Sequence, residues 1–397
     1  MSAGAGLPQG SPQGSPQESP RGAHQGSPQA STSEPQRTLN LGLIGAGNIS
    51  GQYLQTLNRL EDLNLVAVAD LDLDRAREVA ATGGAEGVSV DELLAAPEVD
   101  AVINLTIPRA HAETSLAAIA AGKGVYVEKP FAATVAEGQQ MLAAAEAAGV
   151  VMGSAPDTVL GTGVQTARAA VDAGQIGTPM SAVATMVTSG HESWHPNPDF
   201  YYQPGGGPLL DMGPYYVTSL VTLLGPVTSV IGASSALRTE REIGSGPRAG
   251  EKLSVSTPSH ITGALIHESG AISTLVMSFD GTASQAPPIE VHGTEGSMAV
   301  PDPNHFAGDV QITHDRGPWQ SLETAGGYVQ AARGYGLADL FWSGAFDGDP
   351  TLGRAQGALG LHVLEVMAGV LSAAETGASV TISSRADRPS AVPLDPR

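Results

Sequence analysis

Glu128-Lys129-Pro130 puts an acid, an ammonium and a rigid backbone in three consecutive positions. Pro130 biases Lys129 toward an extended conformation. A lysine held there can donate a hydrogen bond to a substrate hydroxyl and, with a lowered pKa, relay its proton. Further along, Gly205-Gly206-Gly207 precedes Asp211 and Tyr215. The last two are four residues apart, so on a helix both side chains face one way. Asp211 could orient substrate hydroxyls, and Tyr215 could donate or accept a proton. A phenol titrates near ~10 when unperturbed, so a neighbouring ammonium or carboxylate would have to tune it. Lys129, Asp211 and Tyr215 are the candidate catalytic residues.

A second kind of chemistry belongs to Gly45-Ala46-Gly47-Asn48-Ile49-Ser50-Gly51. Gly45 permits a tight turn, and Gly47 lets the backbone approach a pyrophosphate. Asn48 and Ile49 lead into a helix whose free N–H groups favour an anion. Ser50 stands where the commonest spacing has a third glycine. Asp70 follows Gly51 by 19 residues. Its carboxylate can accept from ribose hydroxyls and repels a 2′-phosphate, which favours NAD over NADP while leaving NADP possible.

Six aromatic residues fall between Trp194 and Tyr216. Such rings suit the apolar faces of a sugar or cyclic polyol, and Trp194, His195 and Tyr202 are the candidate substrate contacts. His191-Glu192-Ser193-Trp194-His195 spells a zinc-protease pattern, but that chemistry needs both histidines on one helical face. Pro196 disfavours helix at His195, and no third ligand follows. No metal site is expected; His191 or His195 in a loop could instead touch substrate.

These residues need a frame, and the hydrophobic pattern supplies one. Strands at Leu39–Ile44, Leu65–Ala69, Ala101–Leu105, Val125–Glu128 and Val150–Gly153 alternate with helices, which predicts a doubly wound parallel sheet. Glu128-Lys129 then sits at the carboxyl end of a strand, where ligands of such sheets bind. After about residue 155 a helix is followed by successive strand-like runs from 180 to 313, which predicts an open, mostly antiparallel sheet. Two helices, near 334–345 and 354–376, close the body. The expected organisation is a disordered low-complexity tail (1–37), an NAD(P)-binding Rossmann domain (38–155), an α+β substrate and oligomerisation domain (156–382) and a frayed C-terminal tail (383–397). Of residues 1–36, 25 are Gly, Pro, Ser or Gln, and Gly-Ser-Pro-Gln occurs three times. Such a segment cannot recover its ordering entropy. It carries no apolar core of a secretory signal.

Four segments together resemble the glucose–fructose oxidoreductase / inositol dehydrogenase / rhizopine-catabolism (Gfo/Idh/MocA) family. They are Gly45–Gly51, Thr106-Ile107-Pro108-Arg109-Ala110-His111, Ala121-Gly122-Lys123-Gly124-Val125 and Glu128-Lys129-Pro130. Residues 205–216 are similar to a fifth family segment, in which histidine is common at the position of Tyr215. Ile107 also replaces a usual proline. The resemblance spans about 39–380. It implies that Thr106, Pro108 and His111, with Glu128 and Lys129, lie around the cofactor, and that Lys129 is catalytic. It also implies a second sheet whose open face packs in a homo-oligomer, a dimer or tetramer.

Composition narrows the partners. With 19 Lys+Arg against 40 Asp+Glu the formal net charge is −21, which disfavours nucleic acid and anionic membrane. The absence of cysteine excludes disulfides and thiolate chemistry. No apolar run suggests a membrane span, and a cytoplasmic location is expected. The sequence therefore reads as an NAD(P)-dependent oxidoreductase acting on a secondary alcohol or carbonyl of a sugar or cyclic polyol. A redox-neutral sugar-converting enzyme with tightly held NAD, or a non-catalytic dinucleotide sensor, remain alternatives.

Overall fold

Short strands alternate with helices from the first described residues onward. The structure, a computed structural model, describes residues 37–397, so the repeats of the expected 1–37 tail lie outside the described residues. The first half runs β1 (Leu39–Ile44), α1 (Ser50–Leu57), β2 (Leu63–Ala69), α2 (Leu73–Gly83), β3 (Glu86–Val88), α3 (Val90–Ala95), β4 (Ala101–Asn104), α4 (His111–Ala120), β5 (Gly124–Val127), α5 (Val135–Ala148) and β6 (Met152–Ser154). All neighbours pair in parallel, in the order β3-β2-β1-β4-β5-β6. Strand order reverses between β1 and β4, which opens a crevice at their carboxyl ends. Local signals set the helix starts: Ser89 with Glu92 and Thr134 with Glu137 form capping boxes for α3 and α5.

The second half runs α6 (Thr162–Asp172), β7 (Pro179–Val187), α7 (Pro208–Leu224), β8 (Val227–Ser235), β9 (Glu240–Glu242), β10 (Lys252–Ser254), β11 (His260–His267), β12 (Ile272–Ser278), β13 (Ile289–Gly293), β14 (Ser297–Val300), β15 (Gln311–Thr313), β16 (Gln320–Ser321), α8 (Tyr335–Trp342), α9 (Gly357–Thr376) and β17 (Val380–Thr381). Nine strands form one sheet in the order β16-β15-β14-β13-β7-β12-β11-β8-β17, antiparallel throughout except for β7 beside β12. The alternation of β11, His-Ile-Thr-Gly-Ala-Leu-Ile-His, buries every second residue, as a sheet covered on one face requires. Helices α7 and α9 cover the inner face.

Two expectations need correction. Helix α8 does not belong to the second sheet: Leu337, Leu340 and Phe341 pack in one cluster with Leu41, Leu43, Tyr53 and Tyr126. A parallel sheet needs cover on both faces, and α8 supplies part of it beside α1 and α2. The stretch from Ser383 does not fray. Val392 is buried and its N–H is accepted by Gln165, while Arg168 and Arg354 donate to the carbonyls of Pro389 and Ala391. Each bond satisfies a backbone group that would otherwise need water. Helix α9, 20 residues long, is apolar enough by composition to cross a bilayer, but here it is a core helix against β8 and α7.

Candidate active site

The glycine turn after β1 is built as its sequence demands. Gly45 has φ +106°, and a Cβ there would lie 2.6 Å from the Leu105 carbonyl carbon. Only glycine fits. Gly47 and Asn48 are exposed, and a Cβ on Gly47 would meet nothing. Helix α1 starts without a side-chain cap and without an acid in its first turn, leaving N–H groups for an anion. Asp70, at the end of β2, accepts from the N–H groups of Ala46 (2.8 Å) and Asp72 (2.9 Å) and pairs with Arg75 at 2.5 Å. Burial works to raise its pKa, but Arg75 and the two backbone donors hold it below the ordinary value. The residues present fit a dinucleotide: Gly45, Gly47 and the free N–H groups of α1 would hold its phosphates, and Asp70 would accept from its ribose hydroxyls.

The loops after β4 and β5 are cross-tied. Buried Asn104 donates to the His111 carbonyl and Ser115 and accepts from the Thr106 hydroxyl. His111 was expected beside the cofactor. Instead its ring is fully buried between the carbonyls of Pro130 (2.8 Å) and Thr106 (3.0 Å), and its N–H donates to one of them, so the ring packs between the two loops. Burial pushes its pKa down. Thr106 and Pro108, on the loop after β4, keep exposed surface. Glu128 also turns inward. It accepts from the Tyr53 hydroxyl at 2.9 Å and from the Lys129 N–H at 2.7 Å.

Lys129 points the other way, into the second half of the chain. Its ammonium donates to the Asp211 carbonyl at 2.9 Å and to Asp211 Oδ1 at 3.0 Å. Gly207 (φ +92°) opens α7, and a Cβ there would lie 2.9 Å from the Pro258 carbonyl oxygen. The Lys129 ammonium lies 5.3 Å from the Tyr215 ring centre, and the Arg333 guanidinium lies 5.1 Å from the same ring. Burial disfavours the lysine charge, but Tyr215, Asp211 and Glu128 outweigh it and hold the pKa well above the ordinary lysine value. Burial raises the Tyr215 phenol, with Lys129 and Arg333 opposing in part. For Asp211, Lys129 and His191 overcome burial and lower the pKa to about 2.

The aromatic loop divides into two roles. Trp194 is 59% exposed, and its ring meets those of His191 and His195 edge-on. Tyr202, expected to touch substrate, is fully buried. Its hydroxyl bonds Glu192, and its ring stacks on Arg241. Arg241 also pairs with Asp280 and donates to the Phe279 and Ser189 carbonyls. Glu192 is thereby drawn inward as the anchor of the loop, while His191 turns outward to Asp211 Oδ2 at 2.8 Å. Arg333 carries no sequence motif and lies far from Tyr215 in the chain; nothing short of the fold could have found it.

Comparison with known proteins follows this architecture. The NAD-binding Rossmann-fold domain of the GFO/IDH/MocA oxidoreductases matches residues 39–155, and the GFO/IDH/MocA C-terminal domain matches residues 164–299. A 1,5-anhydro-D-fructose reductase of Ensifer adhaerens is 30% identical over 264 residues, 65% of this chain and 74% of that protein. A myo-inositol 2-dehydrogenase of Thermotoga maritima is 28% identical over 277 residues, 69% and 77% of the two chains. Among solved structures, an NAD binding oxidoreductase from Klebsiella pneumoniae superposes with a TM-score of 0.75 at 24% identity, covering 88% of this chain and all of that one. A levoglucosan dehydrogenase bound to NADH and levoglucosan gives 0.72 at 21% identity over 88% of this chain and 100% of its own.

Proposed function

The chain belongs to the GFO/IDH/MocA family of NAD-binding oxidoreductases, and on that footing we propose that it transfers hydride between nicotinamide and a secondary alcohol or carbonyl carbon of a sugar or cyclic polyol. The observation that carries this reading is the Lys129–Asp211 contact, which brings a fixed ammonium and a carboxylate together at the strand ends where the crevice opens. NAD, when bound, would supply the hydride acceptor, and Gly45, Gly47, Asn48, Ile49, Asp70, Thr106 and Pro108 are the residues that would hold it.

Lys129, kept charged, donates to the reacting oxygen and stabilises the negative charge that develops there. Asp211 holds Lys129 in place. Tyr215 keeps its proton at neutral pH and serves as a second hydrogen-bond donor toward that oxygen. Trp194 and His195 form the wall against which a ring's C–H face packs. The family relatives that support the substrate class are the anhydrofructose reductase and the inositol dehydrogenase. Assembly through the uncovered outer face of the nine-stranded sheet belongs to the same reading, since Val183, Ile231 and Ile272 are exposed there.

The test is a panel of monosaccharides, anhydrosugars and inositols assayed in both directions with NAD and NADP. Substrate-dependent NADH formation or consumption supports the proposal. NADH binding without turnover of any sugar or polyol would sink it.

A further inference from the structure

We propose that His191 is the base of this site, taking the proton of the substrate hydroxyl while Asp211 holds its ring, so that the proton acceptor sits on the loop after β7 and not on α7. The proposal rests on the dehydrogenase reading above.

The geometry is a three-point arrangement around one carboxylate. Asp211 Oδ1 holds the Lys129 ammonium at 3.0 Å, and Oδ2 meets His191 Nε2 at 2.8 Å. An ionised carboxylate only accepts, so Nε2 carries the hydrogen, and in the neutral ring the lone pair is on Nδ1. The same carboxylate then stabilises the imidazolium that forms. The ring is fixed on its other sides by Trp194, Tyr201 and Phe279, with centres 5.2, 4.4 and 4.7 Å away. Its backbone is fixed by the neighbouring Glu192–Arg241–Asp280 cluster. Lys129, Asp211 and His191 each keep a small exposed edge, 18%, 17% and 14% of the side chain, so none of the three is sealed from solvent.

The other titratable groups facing this point are poor proton acceptors near neutrality. Lys129 is held in its charged form. Burial keeps the Tyr215 phenol protonated and pushes Tyr201 up to about 12. Asp211, lowered to about 2, is too weak a base. Glu128 is turned to Tyr53 and the Lys129 N–H. Arg333, over the Tyr215 ring, is a cation. His195 stands one ring away, and its Nδ1 accepts from the Asn197 N–H. His191 is the imidazole that contacts Asp211.

In the oxidative direction the substrate O–H bond breaks and its proton forms a bond to Nδ1. The C–H electron pair leaves as hydride to the oxidised nicotinamide, and the carbonyl forms against the Lys129 ammonium. Reduction runs the same steps backward, with the imidazolium as acid.

The test uses His191→Gln, whose amide can still donate to Asp211 but cannot take a proton, and His191→Ala. Both are read by turnover, by NADH fluorescence binding and, for His191→Ala, with added imidazole. General-base removal is worth about 100-fold or more. The expected result is that loss in oxidative kcat for His191→Gln with NADH binding unchanged, and recovery of at least about tenfold in His191→Ala by imidazole, a fraction of the lost general-base term. His191→Gln with wild-type turnover, or no imidazole rescue while NADH still binds, would overturn it. An independent arm is the ¹⁵N spectrum of the imidazoles in wild type and Asp211→Asn. The His191 resonance should report Nε2–H in wild type and shift in the variant; a spectrum indifferent to Asp211 defeats the proposal whether or not a substrate has been found. A wild type inactive on every polyol sinks the dehydrogenase reading, whereas active wild type with equally active His191→Gln sinks only the histidine.

Discussion

The Lys129 ammonium and the Asp211 carboxylate meet at 3.0 Å although 82 residues separate them. One ends a strand of the parallel sheet and the other opens the helix beneath the antiparallel sheet, so a single ion pair ties the two halves at the crevice. Replacing Lys129 by Met removes the donor at the reacting oxygen. Turnover should fall by about 10²–10⁴-fold, the range for a positioned acid or base, while NADH still binds. The variant also strips a largely buried carboxylate of its ammonium and leaves it only the His191 N–H; breaking a buried pair costs up to about 3–5 kcal/mol, so its melting temperature should fall as well. Wild-type turnover in a folded Lys129→Met enzyme refutes the assignment.

The same pair makes stability depend on acid. Lys129 and His191 overcome burial to lower the Asp211 pKa to about 2, against ~3.9 for an unfolded aspartate. A carboxylate depressed in this way contributes stability that is fully present above its unfolded pKa and is lost as pH falls through the folded one. Lys129 runs the other way. Its raised pKa contributes fully below the unfolded lysine value and is lost only in strong alkali. Denaturant unfolding between about pH 4 and pH 2 should therefore show a steeper loss in wild type than in Asp211→Asn. Parallel curves for the two proteins count against the pairing.

In the proposed site, Asp70 and the arginine paired with it are the residues that would set cofactor preference. Arg75 is half exposed while Asp70 is nearly buried, so Arg75 is the partner that moves when ribose hydroxyls arrive. In Asp70→Ala the hydroxyls lose a charged acceptor, worth about 1.5–3 kcal/mol, and Arg75 becomes free for a 2′-phosphate. The ratio of NADPH to NADH affinity should rise at least about tenfold, corresponding to that energy. An unchanged ratio by fluorescence titration shows that selectivity lies elsewhere.

Two neighbours in the aromatic loop should respond oppositely. Trp194→Ala removes an exposed face and should raise KM for the sugar several-fold with little change in melting temperature. Tyr202→Phe deletes the hydroxyl bonded to Glu192 in the buried Arg241 cluster and should cost about 1–2 kcal/mol of stability with KM unmoved. The reverse pattern in thermal melts and steady-state kinetics would return Tyr202 to the substrate pocket.

That reversal illustrates what could and could not be read in advance. The parallel sheet, the glycine turn and Lys129 were legible because each is local: alternation of strand and helix, a turn that only glycine fits, a lysine before a proline at a strand end. Lys123 shows the limit of residue type alone. Its ammonium caps the carbonyls of Ala96 and Val99 inside the fold, a structural role no spacing announces. The burial of Tyr202, the reach of Arg333 and the pairing of His191 with Asp211 all depend on which distant element packs against the loop. Arg241 and Asp280, which anchor it, lie on or beside strands far along the chain. The short strands β3, β9, β10, β16 and β17 were also invisible, since two or three residues carry no period.

The outer face of the nine-stranded sheet yields the last prediction. Its inner residues pack under α7 and α9, but on the other side Val183, Ile231 and Ile272 are 39%, 49% and 49% exposed. They project from β7, β8 and β12, and Ile231 pairs across the ladder with Ala264 while Ile272 pairs with Ser181. Burying an isoleucine is worth about 1.5–3 kcal/mol, and in a two-fold interface each residue counts twice. Ile231→Asp combined with Ile272→Asp should therefore dissociate a dimer or tetramer without touching the crevice. Light scattering after size exclusion should give an assembled wild type and a lower-mass double variant that still binds NADH. A wild type that runs as a monomer, or a double variant of unchanged mass, excludes this face as the interface.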